Sequence, residues 1–272
     1  MPNVRLKRVL VTGAAQGIGL AIARAFAQKG AEVVLTDLNA DSLGEAREAL
    51  TATGALCRAY PLDVTDEAAV QNVRDQLHAD AGSLDILVNN AGVVFGGAFL
   101  DVPMAKHQLT YGVNILGMVA MTHAFLPDLI ASPGGHLVNV ASASGFVGLP
   151  FGTTYASSKW AAIGFSDSIR QELRALGHKN VGVSTICPAY VATGLFNGAQ
   201  PPKTTKFMPP EDLAGKVVAA VEKRRPWVLE PWLIKITPVL ANILPTSVSD
   251  VLGDAFGASN SMKSWRGHEG AK

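Results

Sequence analysis

The sequence predicts an α/β fold: a doubly wound parallel sheet in three layers, α/β/α, formed by a single domain. Three observations predict it. Short β-branched runs alternate with longer helical patterns along most of the 272 residues. The predicted strands are apolar throughout, as is typical of strands covered on both faces. A glycine-rich stretch follows the first of them. Such alternation favours right-handed crossovers with helices on both sides of the sheet.

The elements follow one another in a regular order. Strands are predicted at 8–13, 31–37, 55–64, 84–92, 135–142, 181–188 and 226–231. Helices are predicted at 19–30, 41–54, 66–80, 101–131, 153–176 and 209–224. Gly30 closes the first helix, and Asp41 or Ser42 is expected to cap the second. No repeat or linker divides residues 1–230, which we assign to one dinucleotide-binding and catalytic domain.

Residues 231–272 form a tail rich in Pro, Leu and Trp. We expect it to pack on the same domain or on a partner subunit. A membrane surface is the alternative, since Trp227, Trp232 and Lys235 suit an interface. Packing onto protein is favoured, because prolines interrupt any continuous amphipathic helix.

Composition indicates a globular protein, with 48% apolar and 17% charged residues. The net charge of +1 gives no reason to expect a nucleic acid partner. Cys57 and Cys187 lack metal-ligand spacing and lie in apolar segments, so buried free thiols are expected and no metal site is predicted. No run of 18 uninterrupted apolar residues occurs, and a cytoplasmic location is the expectation.

A phosphate-binding turn is predicted at residues 13–19, where the first strand meets the first helix. Gly13, Gly17 and Gly19 have the spacing G-x-x-x-G-x-G. Glycines at this junction of a Rossmann-type fold let the backbone approach a pyrophosphate, whose charge the free N–H groups of the helix start stabilise. A simple glycine-rich turn is the alternative reading of the same residues.

Asp37 ends the second predicted strand. A carboxylate there can accept hydrogen bonds from both adenosine ribose hydroxyls and would repel a 2′-phosphate. Because Gln16, Leu38 and Asn39 offer no positive charge, NAD is favoured over NADP as the cofactor. Asp63 follows the third strand and either meets the adenine amino group or caps the next helix.

Tyr155 and Lys159 stand four residues apart and therefore share one helix face. A neighbouring ammonium favours the phenolate and lowers the pKa of a tyrosine, which is otherwise about 10. Tyr155 could then exchange a proton with an alcohol oxygen as hydride passes to or from a cofactor. Ser142 ends the strand "LVNVAS", at the sheet edge where ligands of such folds bind, and could hold the substrate oxygen; Ser144 is the alternative serine.

Taken together, "TGAAQGIG", "NNAG" (89–92), Asn114, Ser142 and "YASSK" resemble the short-chain dehydrogenase/reductase family over about the first 195 residues. The resemblance implies a catalytic tetrad of Asn114, Ser142, Tyr155 and Lys159. It gives Lys159 a second contact, with the nicotinamide ribose, and has Asn114 hold a water of the proton relay. A solvent-facing asparagine is the alternative for Asn114.

The resemblance also implies a cofactor contact set. Asn90 is expected behind the adenine-side ribose, and Thr193 at the nicotinamide carboxamide. Ala189 stands where the family has glycine, which puts the turn after Pro188 in question. The expected cofactor-binding residues are Gly13, Gln16, Gly17, Ile18, Gly19, Asp37, Asp63, Val64, Asn90, Ala91, Gly92, Tyr155, Lys159, Pro188, Val191 and Thr193.

An apolar substrate is predicted, because the side chains expected around the pocket are nearly all hydrophobic. They are Val94, Phe95, Phe146, Val147, Leu149, Phe151, Tyr190 and Phe196. Residues 195–210 could form a lid. We therefore expect an NAD-dependent dehydrogenase of a hydrophobic alcohol, and the family resemblance implies a homodimer or homotetramer. An NADPH-dependent ketone or 3-oxoacyl reductase and a non-catalytic dinucleotide-binding protein are the alternatives.

Overall fold

The computed structural model describes residues 4, 6–194 and 206–235, and residues 245, 247, 248, 261–263 and 265 of the tail. Its centre is a sheet of seven parallel strands in the order β3-β2-β1-β4-β5-β6-β7. The strands are β1 Arg8–Thr12, β2 Glu32–Asp37, β3 Cys57–Pro61, β4 Ile86–Asn89, β5 His136–Val140, β6 Gly182–Pro188 and β7 Trp227–Glu230. The predicted doubly wound parallel sheet is confirmed.

Side chains alternate between the two faces of this sheet, and each face has its own core. In β1, Val9 and Val11 enter one core while Leu10 enters the other. Helices cover both cores, so all three residues are fully buried. This explains why the strands are apolar at every position and not only at alternate ones.

Seven α-helices connect and flank the strands in the described part of the chain. They are α1 Gly17–Gln28, α2 Ala40–Thr51, α3 Glu67–Asp80, α4 Met104–Tyr111, α5 Met118–Ala131, α6 Thr153–Ala175 and α7 Pro210–Glu222. Phe26 of α1 and Val217 of α7 fill the first core, and Leu77 of α3 and Phe125 of α5 fill the second. The sheet therefore lies between two helical layers.

Three local predictions differ from the structure. Asn39, rather than Asp41 or Ser42, caps α2: its side chain accepts a hydrogen bond from the Ser42 N–H at 3.0 Å. The helix predicted at 101–131 is interrupted by a π-helical turn, Gly112–Gly117, between α4 and α5. Cys187 is buried as predicted, whereas Cys57 is only partly buried; burial raises the pKa of both thiols, so neither is primed as a nucleophile.

The order of the strands positions the functional residues. From β1 the chain proceeds to one edge of the sheet through β2 and β3, and it then returns to β4 and proceeds to the other edge. Where the strand order reverses in this way, the loops after the two central strands run to opposite sides and leave a crevice between them. Gly13, Asn90, Ser142 and Pro188 lie at or just beyond the carboxyl ends of β1, β4, β5 and β6. Residues distant in sequence therefore meet at one edge of the sheet.

Candidate active site

The glycine turn after β1 has a backbone that only glycine adopts readily. Gly13 and Gly17 have φ angles of +62° and +58°. A Cβ on Gly19 would lie 2.1 Å from the Gly13 carbonyl oxygen and 2.6 Å from the Asn90 Nδ2 atom. Gln16 is exposed before the first turn of α1, and Ile18 packs against the core. The turn thus brings its main chain and the start of α1 close together with no side chain between them.

Two side chains from neighbouring strands hold this turn in place. One carboxylate oxygen of Asp37 accepts a hydrogen bond from the Ala15 N–H at 3.0 Å, and the other accepts from the Asn39 N–H at 3.1 Å. Asn90 donates through Nδ2 to the carbonyl oxygens of Thr12 and Gly13 at 2.9 and 3.1 Å. Both hydrogen bonds of the Asn90 side-chain amide thus hold the glycine turn in place, and its expected contact with the cofactor ribose remains a prediction.

Thr12 is a contributor that the sequence reasoning missed. Its hydroxyl oxygen accepts hydrogen bonds from the N–H groups of Asn90 and Ala91, at 3.0 and 2.9 Å. It joins the end of β1 to the loop after β4 across the point where the sheet order reverses. The sequence contained a signal for this role, because Thr12 is a polar residue at the end of a buried strand and directly precedes the glycine turn.

Asp63 and Val64 follow β3. Asp63 accepts hydrogen bonds from both the N–H and the hydroxyl of Thr65, at 2.9 and 2.7 Å. The alternative that Asp63 caps α3 is wrong, because Asp66 does so through a 3.0 Å hydrogen bond from the Ala69 N–H. Val64 is buried and packs against Gly117, where an added Cβ would come within 2.7 Å of its Cγ2 atom.

Asn114 lies in the π-helical turn and is fully buried, so the solvent-facing alternative is wrong. Its Oδ1 atom accepts from the Val93 N–H at 2.8 Å, and its Nδ2 group donates to the Val93 carbonyl at 3.0 Å and the Ser158 hydroxyl at 2.9 Å. Ser158 in turn donates to the Tyr155 carbonyl at 2.7 Å. Asn114 thus connects the loop after β4 to the first turn of α6.

Ser142, Tyr155 and Lys159 come together beside this turn. Ser142 lies close enough to Tyr155 to lower the pKa of its phenol, and the Ser142 hydroxyl lies 3.5 Å from the Pro188 carbonyl. Lys159 Nζ lies 5.7 Å from the centroid of the Tyr155 ring and donates to the Val140 carbonyl at 2.9 Å. All three side chains are buried.

Gly92 lies between Asn114 and Lys159. A Cβ at this position would be 3.4 Å from Asn114 Oδ1 and 3.6 Å from Lys159 Nζ. The four predicted tetrad residues therefore form one contiguous group at the carboxyl edge of the sheet. Their geometry suits a proton-transfer site, while their catalytic roles remain a prediction.

Burial, rather than the neighbouring charge, dominates the electrostatics of this group. Burial raises the pKa of Tyr155 to about 12, and the nearby Ser142 hydroxyl opposes that increase. Burial lowers the pKa of Lys159 to about 8, against a smaller raising effect from Cys187. The sequence-based expectation was the reverse for Tyr155, because it considered the Lys159 charge without the loss of hydration.

Beyond β6, the chain turns back toward the glycines. Ala189 is not among the three non-glycine residues with positive φ in the described chain, so alanine is accommodated without strain. Val191 is buried in the first core, and its main chain pairs with Met208 in an isolated β-bridge. Thr193 packs near the phosphate turn, with its Cγ2 atom 3.4 Å from the position of a Cβ on Gly17.

The predicted pocket residues separate into two groups. Val94, Leu149, Phe151 and Tyr190 cluster with Tyr155, together with Met262 and Trp265 from the tail. The other three described residues are not members of this cluster. Phe146 packs on Trp227 with 6.2 Å between ring centroids, Phe95 lies under the Lys106 ammonium at 4.4 Å, and the Val147 carbonyl accepts from Trp160. Phe196 and residues 195–205 of the predicted lid lie outside the described residues.

This arrangement has a counterpart in a known family. The sequence model of the short chain dehydrogenase family matches residues 7–203. The chain belongs to this family. A short-chain dehydrogenase is an oxidoreductase that binds a small-molecule substrate and a dinucleotide, in agreement with the activity class that the sequence predicts.

Relatives of this short-chain dehydrogenase include proteins named as retinol and estradiol dehydrogenases. Epidermal retinol dehydrogenase 2 of mouse is 32% identical over 270 residues, covering 98% of this chain and 87% of the relative. Estradiol 17-beta-dehydrogenase 11 of Macaca fascicularis is 33% identical over 246 residues, covering 90% and 81%. A solved short-chain dehydrogenase/reductase from Burkholderia phymatum, in complex with NAD, has a TM-score of 0.80 and 28% identity over 88% of this chain and 94% of the other.

The expectation of a cytoplasmic location is wrong. The helical stretch Met104–Ala131, 28 residues long, is the one helix in the described chain that is long and apolar enough to cross a membrane, although half of its most apolar window is buried in the fold. The relatives named for retinol and estradiol point the same way. Both findings argue against a purely cytoplasmic protein.

Proposed function

We propose that this short-chain dehydrogenase oxidises a hydrophobic, secondary alcohol with NAD, and that Tyr155 takes the alcohol proton. The observation that carries the proposal is the buried contact of Tyr155 with Ser142, one helical turn from the Lys159 ammonium. A proton donor and acceptor, a hydroxyl beside it and a fixed positive charge are the parts that alcohol–ketone interconversion requires.

The glycine turn fits a dinucleotide. Its glycine-only backbone and the tight approach of Gly19 to the Gly13 carbonyl leave the start of α1 free to bind pyrophosphate oxygens through its N–H groups. When bound, the nicotinamide dinucleotide supplies the acceptor for the hydride of the alcohol. Thr193, next to Gly17, is suited to contact the same molecule.

Asp37 supports NAD in preference to NADP. Its carboxylate holds the turn through the Ala15 N–H, so its negative charge is fixed beside the expected ribose position. A 2′-phosphate there would face a carboxylate, and Gln16, Leu38 and Asn39 beside it carry no positive charge. Solved structures of similar fold bind either NAD or NADP, so the choice rests on this residue.

Each side chain then has one task. Ser142 binds the alcohol oxygen through its hydroxyl, and Tyr155 accepts the proton from that oxygen. Because burial raises the Tyr155 pKa to about 12, ionisation of the phenol needs compensating positive charge. Lys159 supplies it: with a pKa of about 8, the ammonium is mostly protonated at pH 7. Asn114 positions the turn of α6 that carries Tyr155, through Ser158.

We base the substrate class on the apolar side chains that pack around Tyr155: Val94, Leu149, Phe151, Tyr190, Met262 and Trp265. An uncharged apolar body next to the reacting hydroxyl is the complement of this surface. The names of the retinol and estradiol relatives support the same class. We therefore include lipid-like alcohols within the substrate range.

The test is NADH formation by the purified chain with secondary alcohols, aryl alcohols, steroids and retinoids. Tyr155→Phe is expected to lower kcat by about 10²–10⁴-fold while NADH binding persists, since it removes only the proton carrier. Tyr60→Phe is the matched control, because the Tyr60 hydroxyl donates to Asp80 at the end of α3 and not to a residue of the tetrad. Equal rates for Tyr155→Phe and the wild type would leave no catalytic role for the phenol.

Fluorescence titration with NADH and NADPH tests the cofactor separately. Tighter binding of NADH is expected. If NADPH binds more tightly, the role of Asp37 is wrong and the reductase alternative is the better assignment. Binding of either dinucleotide without turnover of any alcohol or ketone would identify a non-catalytic dinucleotide-binding protein.

A further inference from the structure

Two residues near the end of the sequence pack directly against Tyr155. Met262 and Trp265 are each 4% exposed and share one apolar cluster with Tyr155 and Val94. The Trp265 ring meets the Tyr155 ring edge to face, with 5.6 Å between their centroids and an interplanar angle of 84°. Edge-to-face contact at this separation is a favoured arrangement of aromatic pairs. The proposed proton acceptor therefore has a wall supplied by the tail.

Two glycines accommodate this wall. A Cβ on Gly152, the residue before α6, would lie 2.9 Å from the Cζ3 atom of Trp265. A Cβ on Gly96 would lie 2.7 Å from the Trp265 carbonyl oxygen. The Trp265 side chain and backbone therefore fit in this place only because Gly152 and Gly96 have no side chain.

Two further features hold the rest of the cluster in place. Phe151 has a φ of +62°, an unfavourable conformation for a bulky residue, and its carbonyl accepts from the Gly97 N–H at 2.9 Å. Strained positions of this kind concentrate at ligand-binding sites. The Ser261 side chain is hydrogen bonded to Tyr190, which joins the tail to the loop after β6.

We infer that Trp265 and Met262 form the wall of the alcohol pocket that determines which substrates fit; this rests on the proposed function. An alcohol whose oxygen reaches Tyr155 must place its apolar body among the residues that cover the ring, and these include both tail residues. Trp265 has the larger side chain and limits the width of that body. Met262 is flexible and adapts to its length.

The experiment compares kcat/KM for secondary alcohols of increasing size between the wild type and Trp265→Ala. The quantity compared is the ratio of kcat/KM for the bulkiest alcohol to kcat/KM for the smallest. Removing the indole is expected to raise this ratio by about tenfold or more, because one methylene in an apolar pocket already changes kcat/KM discrimination by about 10–200-fold. Trp232→Ala is the control, because Trp232 is 66% exposed. Its ratio should equal that of the wild type.

Two outcomes would overturn the inference and leave the proposed function intact. One is a ratio for Trp265→Ala within about twofold of the wild type, well below the expected change. The other is an equal rise of kcat/KM for every alcohol, which would show that the indole obstructs the site without selecting among substrates. A wild type that oxidises none of the alcohols would instead refute the proposed function, and this inference with it.

NADH titration of each variant guards against a folding defect. Trp265→Ala is expected to bind NADH as the wild type does, because the glycine turn does not contact the tail in the described residues. If Trp265→Ala fails to bind NADH, the ratio of kcat/KM for the bulkiest alcohol to that for the smallest is measured for Met262→Ala instead. It removes less volume, so a smaller increase in the same direction supports the inference, and an unchanged ratio overturns it.

Discussion

Replacing Lys159 with methionine tests whether the active-site ammonium is desolvated as the structure indicates. Methionine has a similar length and no charge. Lys159 is 4% exposed, and burial lowers its pKa from 10.5 to about 8. A lysine with a folded pKa below its unfolded pKa destabilises the folded state wherever it must be charged. This cost is fully present below about pH 8 and is lost as the pH rises toward 10.5.

The magnitude follows from the size of that pKa shift. At about 1.4 kcal/mol per pKa unit, a decrease from 10.5 to about 8 corresponds to about 3 kcal/mol at pH 7. At pH 9.5 the folded lysine is already neutral and the unfolded lysine is only about one pH unit below its pKa, so about 1 kcal/mol of the cost remains. The difference in unfolding free energy between Lys159→Met and the wild type should therefore change by about 2 kcal/mol, in favour of the variant at the lower pH.

Urea unfolding at pH 7 and pH 9.5 measures this change. Comparing one variant with the wild type at two pH values cancels the loss of the hydrogen bond to Val140, which is present at both. Lys29→Met, at an exposed lysine, should show the same small difference at each pH. A pH-independent difference for Lys159→Met, or one that favours the variant more at pH 9.5, would refute a desolvated Lys159.

Three further substitutions test the local structure. Gly19→Ala places a Cβ 2.1 Å from the Gly13 carbonyl, and should weaken NADH binding by more than about tenfold in a fluorescence titration; unchanged affinity would contradict this. Gly44→Ala, in α2 with open space around it, should instead raise the unfolding free energy in urea by about 0.5–1 kcal/mol. Asn114→Ala leaves the polar groups of Val93 and the Ser158 hydroxyl without their partner and should lower that free energy by about 3 kcal/mol; a loss below about 1 kcal/mol would be inconsistent with those hydrogen bonds.

The strands and most helices could be predicted because their signals are local. An apolar run such as residues 181–188 is compatible with a strand covered on both faces, and Gly30 marks the end of α1 with a φ of +80°. The group of Ser142, Tyr155 and Lys159 was also predictable, because two of its members share a helix face and the third ends a strand at the same edge of the sheet.

What the sequence did not predict depends on contacts between distant residues. The π-helical turn interrupts a continuous apolar pattern and is held by Asn114, whose partners Val93 and Ser158 lie in other elements. The elevated pKa of Tyr155 arises from burial, to which Trp265 contributes from the far end of the sequence. Phe146 follows Ser142 closely and so suggested a pocket position, but it packs on Trp227 instead.

The π-helical turn also constrains how this chain can change in length. Such a turn holds one residue more than an α-helical turn, and one residue corresponds to a rotation of about 100° around the helix axis. Deleting a single residue from Gly112–Gly117 would permit one regular helix, but Asn114 and Phe125 could then no longer both face inward at their present positions. The π-helical turn departs from regular α-helical hydrogen bonding, and this lets Asn114 face the candidate site while Phe125 faces the second core. We therefore expect an insertion or deletion in this segment to be more damaging than most substitutions.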